Sequence, residues 1–176
     1  MKNISHIPSK PRERGAILVT SMLLLLVLTV LAIAMMRMTG MQERMAGNTR
    51  DLGLAFQGAE AALRGGERYI AGLVAAPVWQ TALPCDPSRI CNENVLPLDL
   101  GNPDVFDWED EGYAIDEEIG ELARDPSYVI EKAGFVRDSL LFDETGGRDF
   151  YRVSGQSNGA SGLANTVLQS TYARRF

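Results

Sequence analysis

Residues 16–36 read AILVTSMLLLLVLTVLAIAMM, 21 consecutive positions without a charged side chain. A helix of that length rises about 1.5 Å per residue and so reaches roughly 30 Å, the thickness of a bilayer's hydrocarbon core. Lys2, Lys10, Arg12 and Arg14 precede the run and Arg37 follows it. Residues 1–15 carry four bases and one acid, Glu13, whereas the remainder carries 13 bases and 22 acids. A basic segment beside an apolar helix stays on the cytoplasmic side of a membrane. The run therefore reads as a single membrane span with residues 1–15 in the cytoplasm and the acidic body on the far side. An acidic body argues against nucleic acid as a partner, because phosphate contacts need surplus Lys and Arg.

Three uses of such an N-terminus compete. An ordinary anchor is the plainest. A secretory signal would end at the A-x-A-like Ala32, Ile33 and Ala34, but cleavage there discards a helix whose pattern continues well beyond. The third is a leader cut on the cytoplasmic side, before the apolar run. Arg14 and Gly15 stand at that point, and Gly gives a peptidase at the membrane surface an unhindered scissile position. Here the chain resembles the type IV prepilins, whose leader ends in a basic residue and Gly. The resemblance implies cleavage by a prepilin peptidase between Gly15 and Ala16, with N-methylation of Ala16. Most pilins carry Glu at the fifth mature position, paired with the terminal amine of a neighbour. Thr20 occupies that position here, and no acid lies within residues 16–36. The departure points to a subunit at the tip of a fibre, where no earlier subunit needs to be engaged.

Beyond the run the helical period persists. Met38, Met41, Met45, Leu52, Phe56, Ala59, Leu63, Ile70 and Leu73 recur at spacings of three, four and seven, one apolar stripe. Glu60 and Arg64 form an i, i+4 pair. Pro77 is the first proline after the leader and stops the helix near Leu73. A rod from residue 16 to 73 measures roughly 85 Å, too long for the following hundred residues to shelter, so its first half needs lipid or copies of itself. Gly40, Gly47, Gly53, Gly58, Gly65 and Gly66 interrupt it, either for close packing or for bending on entry to a fibre. Residues 42–50, QERMAGNTR, and 55–64, AFQGAEAALR, are similar to the hallmark of the PilX minor-pilin family. The resulting layout is a leader at 1–15, a transmembrane and polymerisation half-helix at 16–36, an amphipathic half at 37–73 and an exported head at 74–176.

The head opens with a proline-punctuated stretch. It contains the only cysteines, Cys85 and Cys91. In an exported domain that pair reads as a disulfide closing a small loop, with two free thiols the alternative. A short helix is expected at residues 113–122. Strands are expected at 128–136, at 150–154 and at 165–172, with a Ser/Gly-rich loop at 155–162. Three consecutive strands with short links make an antiparallel sheet that needs a covered face, and the long helix can cover it. The fold class is therefore α+β and pilin-like, a long N-terminal helix packed on a small antiparallel sheet.

Catalytic constellations are sparse. The single histidine, His6, lies in the leader. No Walker loop, nucleophile elbow or zinc-type cysteine pair occurs, so neither an enzyme nor a cofactor is expected. Asp107, Glu109, Glu111 and, after Gly112, Glu118 approximate a calcium loop. Glu stands where shorter acids fit, however, and Gly101 and Pro103 spoil the helix that should precede it. A solvated acidic face is the simpler reading. The family resemblance implies partners among the other minor pilins, the major pilin and a tip adhesin, and a role in priming pilus assembly, adhesion and twitching motility. Two rivals remain: the tip pseudopilin of a type II secretion system, and an anchored periplasmic binding domain that never polymerises.

Overall fold

The computed structural model describes residues 14–86, 88–115, 119–138 and 146–176. Helix α1 runs over Arg14–Gly72, 59 residues. It is followed by β1 (Ile90–Cys91), α2 (Trp108–Glu111), β2 (Tyr113–Ala114), β3 (Ser127–Arg137), β4 (Gly147–Asn158) and β5 (Asn165–Arg174). By contact density the chain separates into two units, Met1–Ala46 and Gly47–Phe176. In the first unit the described residues are helical, and the side chains from Ala16 onward are exposed.

The second unit, the head, is a mixed sheet with a covering on each face. β3, β4 and β5 pair antiparallel in sequence order, as the three β-rich runs imply. Two further short strands lie along the far edge of β3. There β1 runs parallel, pairing Ile90 with Ile130, and β2 runs antiparallel, pairing Tyr113 with Tyr128. The helix expected at 113–122 is thus corrected: the turn of helix comes earlier, at Trp108–Glu111, and Tyr113 begins a strand. Asp107 causes the shift, because its carboxylate accepts the Glu109 N–H at 2.9 Å and caps α2, a strong helix-start signal. The loop expected at 155–162 also shortens, since β4 continues to Asn158.

One face of the sheet packs on the C-terminal part of α1. Ala62 and Ile70 join Ile90, Ile115, Tyr128, Ile130, Tyr151 and Val153 in one core. The other face is covered by the irregular chain after α1, where Cys85, Cys91, Leu96, Leu100 and Phe106 pack on Val129. A sheet covered on both sides explains why β3 begins with five consecutive buried residues instead of alternating.

The buried face of α1 follows the later part of the expected apolar stripe, where Ala59 and Ile70 are fully buried and Leu63 and Leu73 pack on the core, but departs from its earlier part. Leu52 and Phe56 are 54% and 50% exposed, whereas Ala55, Ala59 and Ala62 are fully buried. Gly58 and Gly66 are buried beside them. The sheet therefore selects the small side of the helix, which lets the two backbones approach. A Cβ on Gly66 would lie 2.6 Å from a Val153 methyl, and one on Gly58 2.2 Å from the Ser157 hydroxyl. Gly40, Gly47 and Gly53 face open space. Close packing thus accounts for Gly58, Gly65 and Gly66 and for none of the earlier three.

Candidate functional site: an uncovered apolar helix and a stapled head

An uncovered apolar surface dominates the first unit. α1 is the one helix among the described residues long and apolar enough to cross a membrane, and its most apolar window has no residue buried by the protein. Ile17, Met22, Leu23, Leu24, Leu25 and Met36 are each more than 60% exposed. Such a surface is stable only in lipid or against other apolar helices. Polar atoms on it are satisfied from within. Thr20 donates to the carbonyls of Ala16 at 3.1 Å and Ile17 at 3.0 Å. Ser21 donates to Leu18 and Thr29 to Leu26. In hydrocarbon an unpaired hydroxyl costs several kcal/mol, and folding it onto the preceding turn removes that cost. Gly15 and Ala16 lie in the first turn of α1; the leader residues before Arg14, with His6, lie outside the described residues.

In the head, Cys85 and Cys91 are joined, with Cα atoms 5.2 Å apart. Both are almost fully buried, so the bond is part of the second core. Cys91 also bridges to Gln80 on one side while it pairs with Glu131 on the other. The staple therefore holds β1 in the sheet. Arg89, within the closed loop, adopts a left-handed backbone (φ 55°). Its guanidinium lies 5.5 Å from the Tyr69 ring centre and 5.3 Å from that of Tyr113, and it donates to the Tyr128 hydroxyl at 3.3 Å. Tyr69 donates to the Ser88 carbonyl, and Tyr113 to Asp86, each at 2.8 Å. These contacts bind the closed loop to α1 and β2.

Several charges among the described residues of the head hold the fold together. Glu131, 97% buried by its 3% exposure, accepts from Arg152 at 3.0 Å and from the Leu96 N–H at 3.3 Å. Lys132 lies 3.6 Å from the Trp79 ring centre and 3.8 Å from Asp149. Arg174, from β5, donates to the carbonyls of Ile70 and Leu73 and so caps the end of α1. The last turn of α1 carries no base of its own. Asp51 accepts from the Ser161 hydroxyl and backbone N–H, which holds its carboxyl below the usual range. Burial and the bond to Asp86 push the Tyr113 phenol up. Burial and nearby Asp149 push Tyr151 up to about 12. Each shift runs away from neutrality, opposite to what acid–base catalysis requires.

The calcium-like residues are placed as follows. Asp107 caps α2, Glu109 pairs with Arg124, and Glu111 is the last residue of α2. Glu118 lies outside the described residues. Among the described residues, no three His, Cys, Asp or Glu side chains converge as metal ligands would. Sequence reasoning missed the Arg174 cap and the Asp51–Ser161 contact. Neither has a local signal, since the partners lie 104 and 110 residues apart.

Comparison with known proteins agrees with the geometry. A family model described as PilX N-terminal matches residues 14–64. A second, described as type IV pilus assembly protein PilX C-term, matches residues 47–174. Searches of curated proteins and of solved structures return no match. With both ends of the family represented along nearly its whole length, the chain belongs to the PilX family of type IV pilus assembly proteins.

Proposed function

We propose that the chain is a non-catalytic minor pilin that helps to prime pilus assembly, placed at or near the fibre tip and supporting adhesion and twitching motility. Residues 16–36 hold it in the inner membrane with residues 1–15 in the cytoplasm and the head in the periplasm. Prepilin peptidase cuts between Gly15 and Ala16, and Ala16 is then methylated. Residues 16–36 and 37–73 act as polymerisation and amphipathic halves of one rod, and 74–176 as the pilin head, in contact with other minor pilins, the major pilin and a tip adhesin.

The observation that carries this reading is the uncovered apolar surface of α1 in a family member built for pilus assembly. Assembly exchanges lipid for helix contacts on the same surface, so one face serves storage and polymerisation. Thr20 supports the tip position: its hydroxyl is satisfied within its own helix, and it needs no amine from a neighbour.

Mass spectrometry of the protein from membranes tests the processing, and sheared surface fibres test the assembly. The expected results are a mature start at N-methyl-Ala16 and recovery of the chain in the fibres. A start at Met1 or Met35, or absence from the fibres, overturns the reading.

A further inference from the structure

We propose that the cleft between α2 and the paired ends of β4 and β5 binds a neutral, polyhydroxylated ligand the size of one or two sugar rings. The cleft encloses about 700 Å³, within the usual range for small-molecule sites of about 300–1,000 Å³. Its floor comes from the sheet. Ser127 stands opposite Gln156 across β3 and β4, and Asn158 stands opposite Asn165 across β4 and β5. Alternate residues of a strand share a face, so these four side chains lie on the face where Val129 joins the second core. Phe106 and Trp108 line the wall. Their rings meet edge to face at 5.0 Å, and the Trp108 N–H is held by the Leu100 carbonyl at 2.8 Å.

The floor has unused hydrogen-bonding capacity. Gln156 Nε2 donates to the Oδ1 atoms of both Asn158 and Asn165, which uses both of its amide hydrogens. Among the described residues, nothing bonds the Gln156 Oε1 or the two asparagine Nδ2 groups. Ser127 points to a ligand independently. It is only 7% exposed and lines the cleft, and its hydroxyl has no partner among the described residues. A hydroxyl so buried is ordinarily hydrogen-bonded.

The lining defines the ligand. Asp107, Glu109, Asp125 and Arg124 also border the cleft. Arg124 is paired with Glu109, and the remaining negative surplus opposes phosphate and carboxylate ligands. No three metal-ligating side chains converge among the described residues, so a bare cation is poorly served. The open groups on the floor are neutral and mix donors with acceptors. A sugar hydroxyl both donates and accepts, and two on neighbouring carbons can span the N–H and C=O of one planar amide. An aromatic wall suits the C–H face of a sugar ring.

Nitrogen-15 NMR of the full chain in detergent tests the site, with lactose, maltose and diacetylchitobiose as probes at about 10 mM, above an expected Kd of about 1 mM. At least one probe should shift the side-chain amides of Gln156, Asn158 and Asn165 saturably. Ser127→Ala removes a hydroxyl that holds nothing else, so the fold should stay while affinity falls about fivefold. Asn165→Ala, at an exposed position, should weaken binding by a similar factor. The absence of a saturable shift with all three sugars overturns the proposal, as does unchanged affinity in both variants. Equal or larger shifts with sialyllactose or spermidine overturn it too, because the cleft would then select charge. Fibre membership plays no part in these readings, so their failure leaves the pilin reading as it stands.

Discussion

Gly155 on β4 meets Ala59 on α1 backbone to backbone: a Cβ at Gly155 would stand 2.8 Å from the Ala59 carbonyl oxygen and 2.9 Å from the Leu63 nitrogen. Neither atom belongs to a flexible side chain, so the helix itself would have to move. Gly155→Ala should therefore destabilise the head by about 1–3 kcal/mol, the usual cost of overpacking. Gly53, with open space around it, should behave oppositely. Gly53→Ala should stabilise α1 by about 1 kcal/mol through helix propensity alone. Denaturant unfolding of the full chain in detergent, followed by near-ultraviolet circular dichroism, separates the two.

Arg174 supplies from β5 the cation that the last turn of α1 lacks. Arg174→Met keeps much of the side-chain volume and removes both hydrogen bonds. It should cost about 1–2 kcal/mol, combining the lost cap with the lost dipole interaction. Exchange of the amides in residues 66–72 should rise before that of β4.

Acid should loosen the contact between α1 and the β4–β5 turn. Hydrogen bonds from the Ser161 hydroxyl and backbone N–H hold the folded-state pKa of Asp51 below the ordinary carboxylate range. A depressed carboxyl contributes stability that is present above the unfolded pKa and lost as pH falls through the folded one. The contribution is thus whole above about pH 5 and fades below about pH 4. Asp51→Asn should flatten the pH dependence of the unfolding midpoint between pH 5 and 3 relative to the parent chain. An unchanged slope would assign the acid response to other carboxylates.

Removing Arg152 leaves the Glu131 carboxylate buried without its cation. Breaking a fully buried pair costs about 3–5 kcal/mol. Arg152 is 42% exposed, and solvent screening lowers the expected cost of Arg152→Ala to about 2–3 kcal/mol. Replacing both partners with leucine should recover most of that loss, which the same unfolding measurement reads.

The Cys85–Cys91 bond closes a short loop, with a sequence separation of 6. Loop-closure entropy alone gives about 2 kcal/mol for a ring of that size. Reduction should cost the head that amount, and exchange should appear first at β1, the element the bond pins into the sheet. Simultaneous loss of all five strands would refute that local role.

How much of this was legible follows from range. The charge-free run and the 3.6 period of α1 are local signals, and so are the β-rich stretches that became β3, β4 and β5. β1 and β2 are two residues each and exist only because β3 offers an edge; no local pattern announces them. The buried side of α1 was legible in part: Ala59, Leu63, Ile70 and Leu73 face the core as the period implies, whereas Leu52 and Phe56 do not. Periodicity marks large apolar residues such as Leu52 and Phe56, whereas the sheet contact was selected for smallness at Ala55, Gly58, Ala62 and Gly66. Small residues carry little hydrophobic signal, yet they decide how near two backbones come.

The hydroxyls that fold back onto α1 leave residues 16–36 with no ionisable side chain and no outward-facing donor seeking a counterpart. Whatever surrounds these side chains, fatty acyl chains or neighbouring rods, meets a surface with no charge for counterions to screen; the methylated amine proposed at Ala16 is the one charge at its end. Away from that end its grip scales with contact area, and so should respond far less to ionic strength than that of a subunit held by a carboxylate–amine bond.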